Sequence, residues 1–130
     1  MALTREQILK ADDLPKREVE IPEWGGSVWV RTMTGAERDV FERHILAAEG
    51  SKVEAAKQMR ARLVTLTACD DAGARLFNDN GDLDAVSGKS SKALDRVFEV
   101  ALKLNGLSEK DVDELSGNSS GVQPAGSISA

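Results

Sequence analysis

Arg17-Glu18-Val19-Glu20-Ile21-Pro22-Glu23-Trp24-Gly25-Gly26-Ser27-Val28-Trp29-Val30-Arg31 is the stretch from which the fold is read. Val19 and Ile21 alternate with Glu18 and Glu20, and after the Pro-Glu-Trp-Gly-Gly break the alternation resumes with Val28 and Val30 against Ser27, Trp29 and Arg31. A period of two is the signature of a strand with one buried face. Pro22 ends the first strand without needing a ladder donor, and the glycine pair supplies the positive φ of a tight connection. The stretch predicts a β-hairpin near residues 17–32.

Around the hairpin the period becomes helical. Upstream, Thr4 and Gln7 have capping-box spacing, and Leu3, Ile8 and Leu9 give one or two helical turns to Ala11 an apolar side. Downstream, Thr34 and Glu37 form a second capping box, opening a helix to about Glu49 before Gly50. Val40, Phe41, His44, Ala47 and Ala48 share one arc of it, Ile45 lies at the edge, and Leu46 falls on the other side. Ser51 and Glu54 repeat the cap, predicting a helix to about Cys69 that is almost wholly apolar from Leu63 to Ala68. Val64, Thr65 and Thr67 keep a strand open for residues 63–69, although no turn signal separates them from the helix before. Residues 70–88, rich in Asp, Asn and Gly, predict an irregular connection with a short strand or turn at 75–77 and one helical turn at 82–86. Ser90 or Ser91 then caps a helix ending at Asn105-Gly106 with the glycine left-handed, and Ser108 with Asp111 opens a last short helix carrying Val112 and Leu115. The expectation is a mainly helical α+β domain over residues 1–116, with about four helices and one hairpin, followed by an uncharged flexible tail at 117–130.

Composition narrows the function. With 130 residues, 41% hydrophobic and 30% charged, the chain has the make-up of one ordinary globular domain. Aromatic residues are 4% and tyrosine is absent, too few for base-stacking platforms or sugar-binding clefts. The net charge is -5 and the Lys and Arg residues are dispersed, which opposes duplex nucleic acid as a ligand. A single cysteine, Cys69, excludes an internal disulfide and a cysteine-cluster metal site. No stretch approaches the ~20 apolar residues of a membrane span, and charges interrupt residues 1–10 where a signal peptide has its apolar run. The expected compartment is the cytosol.

No motif carries chemistry. Gly88-Lys89-Ser90 resembles the end of a P-loop, but Leu83 stands where the first glycine belongs and no strand leads in. With Gly81 in the glycine slot of an EF-hand loop, Leu76 and Ser87 would hold the first and last ligand positions, so the Asn78 to Asp84 run reads as turn chemistry. His44 has no second histidine and lies on an apolar arc, as a core or interface residue would. Cys69 has no basic neighbour in sequence to activate it. Asn118-Ser119-Ser120 is a glycosylation acceptor only in a secreted chain. We therefore expect no catalytic residue, cofactor or metal, and a function carried by apolar surface. On the helix from 91, Ala93 to Leu104 place apolar side chains over about 200° of arc, twice the width that one core requires. Leu94, Val97, Phe98, Ala101 and Leu102 are thus candidate protein contacts, with Trp24, Trp29 and Leu46 beside them; both tryptophans could equally lie against the nearest helix.

Several runs carry a family resemblance: Asp12-Asp13-Leu14-Pro15, Val19 to Gly26 with its Glu-Trp-Gly-Gly, Val28 to Asp39 with its Thr-Gly-Ala-Glu-Arg, and Leu104-Asn105-Gly106-Leu107-Ser108. Over about residues 4–116 the chain resembles the tail assembly chaperones of long-tailed phages and prophages. The resemblance implies a non-enzymatic protein, absent from the virion, that binds the tape measure protein in the host cytoplasm and keeps it soluble. It also implies recruitment of tail tube subunits, self-association along an extended partner, and a longer frameshifted product whose junction would fall near Gly117. Two rivals remain at this level: a structural virion protein such as a head-tail connector, and a small regulatory module.

Overall fold

The computed structural model describes residues 1–46, 58–78 and 81–108. Along the chain these form α1 (Arg5–Lys10), β1 (Lys16–Ile21), a 3-10 turn (Pro22–Trp24), β2 (Gly26–Arg31) and α2 (Gly35–Leu46). They continue with α3 (Met59–Thr67), β3 (Ala68–Cys69), α4 (Asp82–Ser87) and α5 (Ser91–Leu104). The α+β class holds, with five helices among the described residues and a third strand added to the hairpin. Residues 47–57, 79–80 and 109–130 lie outside the description, and with them Ala47, Ala48, the Ser51–Glu54 cap, the last helix and the tail.

The hairpin register places Val19 opposite Val28 and Arg17 opposite Val30. Ile21 and Val30 are fully buried on that face. Only one glycine supplies the turn's positive φ: Gly25 is at +75°, donating its N–H to the Pro22 carbonyl at 3.1 Å, whereas Gly26 pairs with Ile21 as the first residue of β2. The helix expected over 51–69 is broken at Gln58 and ends at Thr67, and its 51–57 part lies outside the described residues. Gln58, at φ 59°, adopts the left-handed conformation from which α3 starts, and Ala68 turns extended after Thr67. Ala68 and Cys69 pair with Val30 and Trp29 as β3. The β-branched 63–69 run is therefore helix through Thr67 and strand after it. The Thr65 and Thr67 hydroxyls donate to the carbonyls of Arg62 and Leu63, so both buried side chains are satisfied inside the helix.

After β3 the chain reverses on Asp70, whose carboxylate accepts from the N–H groups of Ala72 and Ala74 at 2.9 Å, and Arg75 returns to bridge Cys69. Ser90 caps α5, accepting from Lys92 and Ala93. At the other end the N–H of Leu107 donates to the Leu102 carbonyl at 2.8 Å, and that of left-handed Gly106 to Lys103 at 3.1 Å. This pair of bonds is a Schellman closure, and it brings Leu107 back into the core. α5 lies between two layers, the hairpin with its 3-10 turn on one side and α3 on the other, and α2 and α4 pack on α3.

Candidate functional site

The five α5 residues expected to meet a partner are core residues. Leu94, Val97, Phe98, Ala101 and Leu102 are all buried, with Val97 and Ala101 at 0% exposure. The wide apolar face does touch two things, as its breadth requires, but both belong to the same chain: the hairpin and α3. In the chain by itself these side chains are covered by its own elements. Trp24 is half-buried against the core. Trp29 is half-buried on the sheet's other face, where the Lys16 ammonium sits 5.1 Å from its ring centroid. Leu46 is 57% exposed, on the outer side of α2 as its position in the helical period dictates.

Among the described residues, exposed large apolar side chains gather at the N-terminal helix. α1 buries none of its residues, and Leu3, Ile8 and Leu9 are 66%, 55% and 66% exposed. The Thr4–Gln7 capping box is complete, each backbone N–H bonded to the other's side chain at 2.9 and 3.2 Å. In such a box Leu3 and Ile8 hold the two positions of a hydrophobic staple. The sequence showed this apolar side. What it did not show is that six helical residues followed by Ala11 to Pro15 would leave it without a cover. The chain regains the body at Pro15, whose carbonyl accepts from the Thr32 N–H at 3.1 Å.

One polar cluster was also missed. The alternation placed Arg31 on the solvent face of β2, but it is buried at 5% exposure because the start of α2 folds over it. Glu37 explains how a guanidinium survives there: its carboxylate takes both Arg31 Nη groups at 3.0 and 2.9 Å. The same carboxylate accepts the Thr34 N–H at 3.0 Å to complete the second capping box, while Arg75 approaches to 3.9 Å and donates to the Thr65 carbonyl. One glutamate thus closes a helix cap and neutralises a buried strand residue. At the α5 end, Asn105 accepts the Met33 N–H at 2.8 Å and its own carbonyl accepts from Arg38, linking the start of α2 to the last turn of α5. The Thr-Gly-Ala-Glu-Arg and Leu-Asn-Gly-Leu runs are therefore joints of the architecture.

Electrostatics elsewhere are ordinary. Arg96 donates to Glu23 at 2.8 and 3.0 Å across the hairpin tip and holds that carboxyl below its usual range. Burial pushes the Cys69 thiol up, away from the reactive thiolate. Among the described residues no group of His, Cys, Asp and Glu gathers to hold a metal, and no helix is long and apolar enough to cross a membrane.

A helix clasped between a hairpin and a second helix, with apolar side chains left on an arm and an outer helix face, is the build of a protein-binding protein. Residues 4–118 match the family described as phage tail assembly chaperone, and the chain belongs to that family. The solved structure of the bacteriophage HK97 tail assembly chaperone is similar, with a TM-score of 0.59 and 20% sequence identity, covering 76% of this chain and 94% of that one. At that identity the likeness is one of fold. No curated protein matches the sequence. Membership of that family indicates a non-catalytic protein whose partners are other proteins of tail assembly.

Proposed function

We propose that this chaperone binds the tape measure protein in the host cytoplasm, keeps that partner soluble and helps to recruit tail tube subunits to it. Family membership supports the reading, and the observation that carries it is the uncovered apolar surface of Leu3, Ile8, Leu9 and Leu46. Apolar side chains on a protein of net charge -5 suit this role, because they cover a partner's hydrophobic stripe while like charge keeps the resulting complexes apart. Several copies act along one extended partner, and Trp24 and Trp29 offer the partner the exposed parts of their rings. Leu94, Val97, Phe98, Ala101 and Leu102 serve by holding the body together. A longer product made by frameshifting near residue 117 belongs to the same proposal, and intact-mass analysis of the expressed gene reveals it.

Co-expression with the tape measure protein is the test. The soluble fraction of the tape measure protein rises when this chain is present, and the two co-purify. An unchanged soluble fraction, with no co-purification, refutes the reading.

A further inference from the structure

The sheet ends differently on its two sides. At β3 the chain folds back along its own edge: the Asp70 N–H donates to the Ala74 carbonyl at 2.9 Å and the Leu76 N–H to the Ala68 carbonyl at 3.1 Å. β1 is the other edge, and among the described residues β2 alone pairs with it. The Thr32 N–H donating to the Pro15 carbonyl fixes the phase of that ladder, because hydrogen-bonded pairs alternate with non-bonded ones. Arg17, Val19 and Ile21 therefore turn their backbone groups to β2, and Lys16, Glu18 and Glu20 turn theirs outward. β1 runs in register with β2 along its whole length, with no bulge or proline to blunt the edge.

The core thins along the same edge. Val19 is half-buried, whereas Ile21 and Val30 are fully buried. On α5, Arg96, Val100 and Leu104 form one row of i, i+4 neighbours. Arg96 reaches Glu23 at the hairpin tip, while Asp95 turns to Arg60 of α3 on the other flank. α3 runs directly into β3, so the row lies on the β1 side of the sheet, and there Val100 and Leu104 are only half-buried. The sheet's outer face along the edge is acidic. Glu18 and Glu20 are exposed, and Glu20 has no ion pair or hydrogen bond among the described residues, whereas the nearby cation, Lys16, already lies over the Trp29 ring.

We propose that the open edge of β1 takes an extended strand from a partner protein of tail assembly, laid antiparallel, in which Lys or Arg alternates with apolar residues. The backbone groups of Lys16, Glu18 and Glu20 call for a strand, since only extended backbone meets them in step. The basic residues stand opposite Glu18 and Glu20 on the outer face, and the apolar ones turn inward beside Val19 and Val100. A second copy of β1 fits less well, because it brings its own Glu18 and Glu20 to an edge that already carries both. This surface is separate from the exposed side chains of α1 and Leu46, and it goes beyond the solubilising role proposed above.

The test uses the full chain and short synthetic peptides, with no tape measure protein, so its failure leaves the solubilising role standing, and an unchanged soluble fraction in co-expression leaves this edge standing. Titration calorimetry measures a capped peptide of alternating valine and lysine, the same peptide N-methylated at its lysine amides or at its valine amides, and a valine–glutamate peptide. The valine–lysine peptide binds. Methylating the lysine amides, which point at β1, weakens it about tenfold or more, whereas methylating the valine amides, which point away, leaves it unchanged. The Glu18→Pro variant removes an outward N–H without touching the β1–β2 ladder and lowers affinity by a similar factor, with circular dichroism confirming the fold. Should that variant fail to fold, Glu20→Lys decides: it weakens the valine–lysine peptide and strengthens the valine–glutamate one. No binding at millimolar peptide overturns the proposal, as do equal losses from the two methylations or variants that bind as wild type does. A wild type that self-associates through this edge in light scattering, where Glu20→Lys does not, overturns the choice of a partner strand.

Discussion

α5 and α1 are both amphipathic, and the structure treats them in opposite ways. The wider apolar face, on α5, is consumed inside the chain by the hairpin and α3. The smaller one, on α1, is left outside. The breadth of a hydrophobic stripe therefore measures how much burial a helix needs and says nothing of who provides it. What differs is the surroundings of each helix: α5 is packed by the hairpin on one side and α3 on the other, whereas α1 precedes the hairpin and buries none of its residues.

The contrast breaks most visibly in α5. Truncating Phe98→Ala removes a ring buried to 8% exposure and leaves a cavity between α5 and the layers around it. A loss of about 4 kcal/mol is expected, near the middle of the range for buried aromatic truncations. Chemical denaturation reads this as a drop of roughly 2 M in the urea midpoint. A loss below about 1 kcal/mol would mean that the α5 face is not the core and that a partner completes it.

The next largest effect lies in the polar joint. Glu37→Ala leaves Arg31 buried without its counter-charge and opens the α2 cap, for an expected loss of about 3 kcal/mol. Glu42→Ala removes an i,i+4 pair in which both side chains are about a third exposed, and it costs no more than about 0.5 kcal/mol. The two midpoints measured side by side separate a carboxylate that organises the fold from one that decorates it. Replacing both partners, Arg31→Met with Glu37→Leu, restores much of the loss, because no charge is then left buried alone.

Local chemistry was legible and distant pairing was not. The Thr4–Gln7 and Thr34–Glu37 capping boxes, the α5 cap expected at Ser90 or Ser91 and found at Ser90, the hairpin and the left-handed Gly106 are all decided within a few residues. β3 is invisible in Ala68-Cys69 alone, since two residues become a strand only because Val30 and Trp29 lie alongside. Arg31 was misplaced for the same reason: period-two alternation reports the face of a strand but not what later covers that face. The left-handed Gln58 has no signal in the sequence, which reads as continuous helix through it. Of the expected contact residues, Leu46 stands exposed where the helical period puts it, whereas the α5 group is covered by the hairpin and α3, because the width of an apolar arc does not say which element covers it.

The smallest expected effect tests the other half of the comparison. Leu9→Ser removes a side chain that is already 66% exposed, so in dilute solution the unfolding midpoint should move by less than about 0.5 kcal/mol in either direction. The same substitution deletes apolar area from the arm, so its consequence should appear only where arms find something to cover, as a loss that grows with protein concentration. Thermal unfolding of wild type and Leu9→Ser at two concentrations a hundredfold apart separates these cases. Equal melting temperatures at low concentration and a wild-type advantage at high concentration place the work of α1 between molecules. If Leu9→Ser instead costs as much as Phe98→Ala at every concentration, α1 belongs to the body's own core and the division between the two helices disappears.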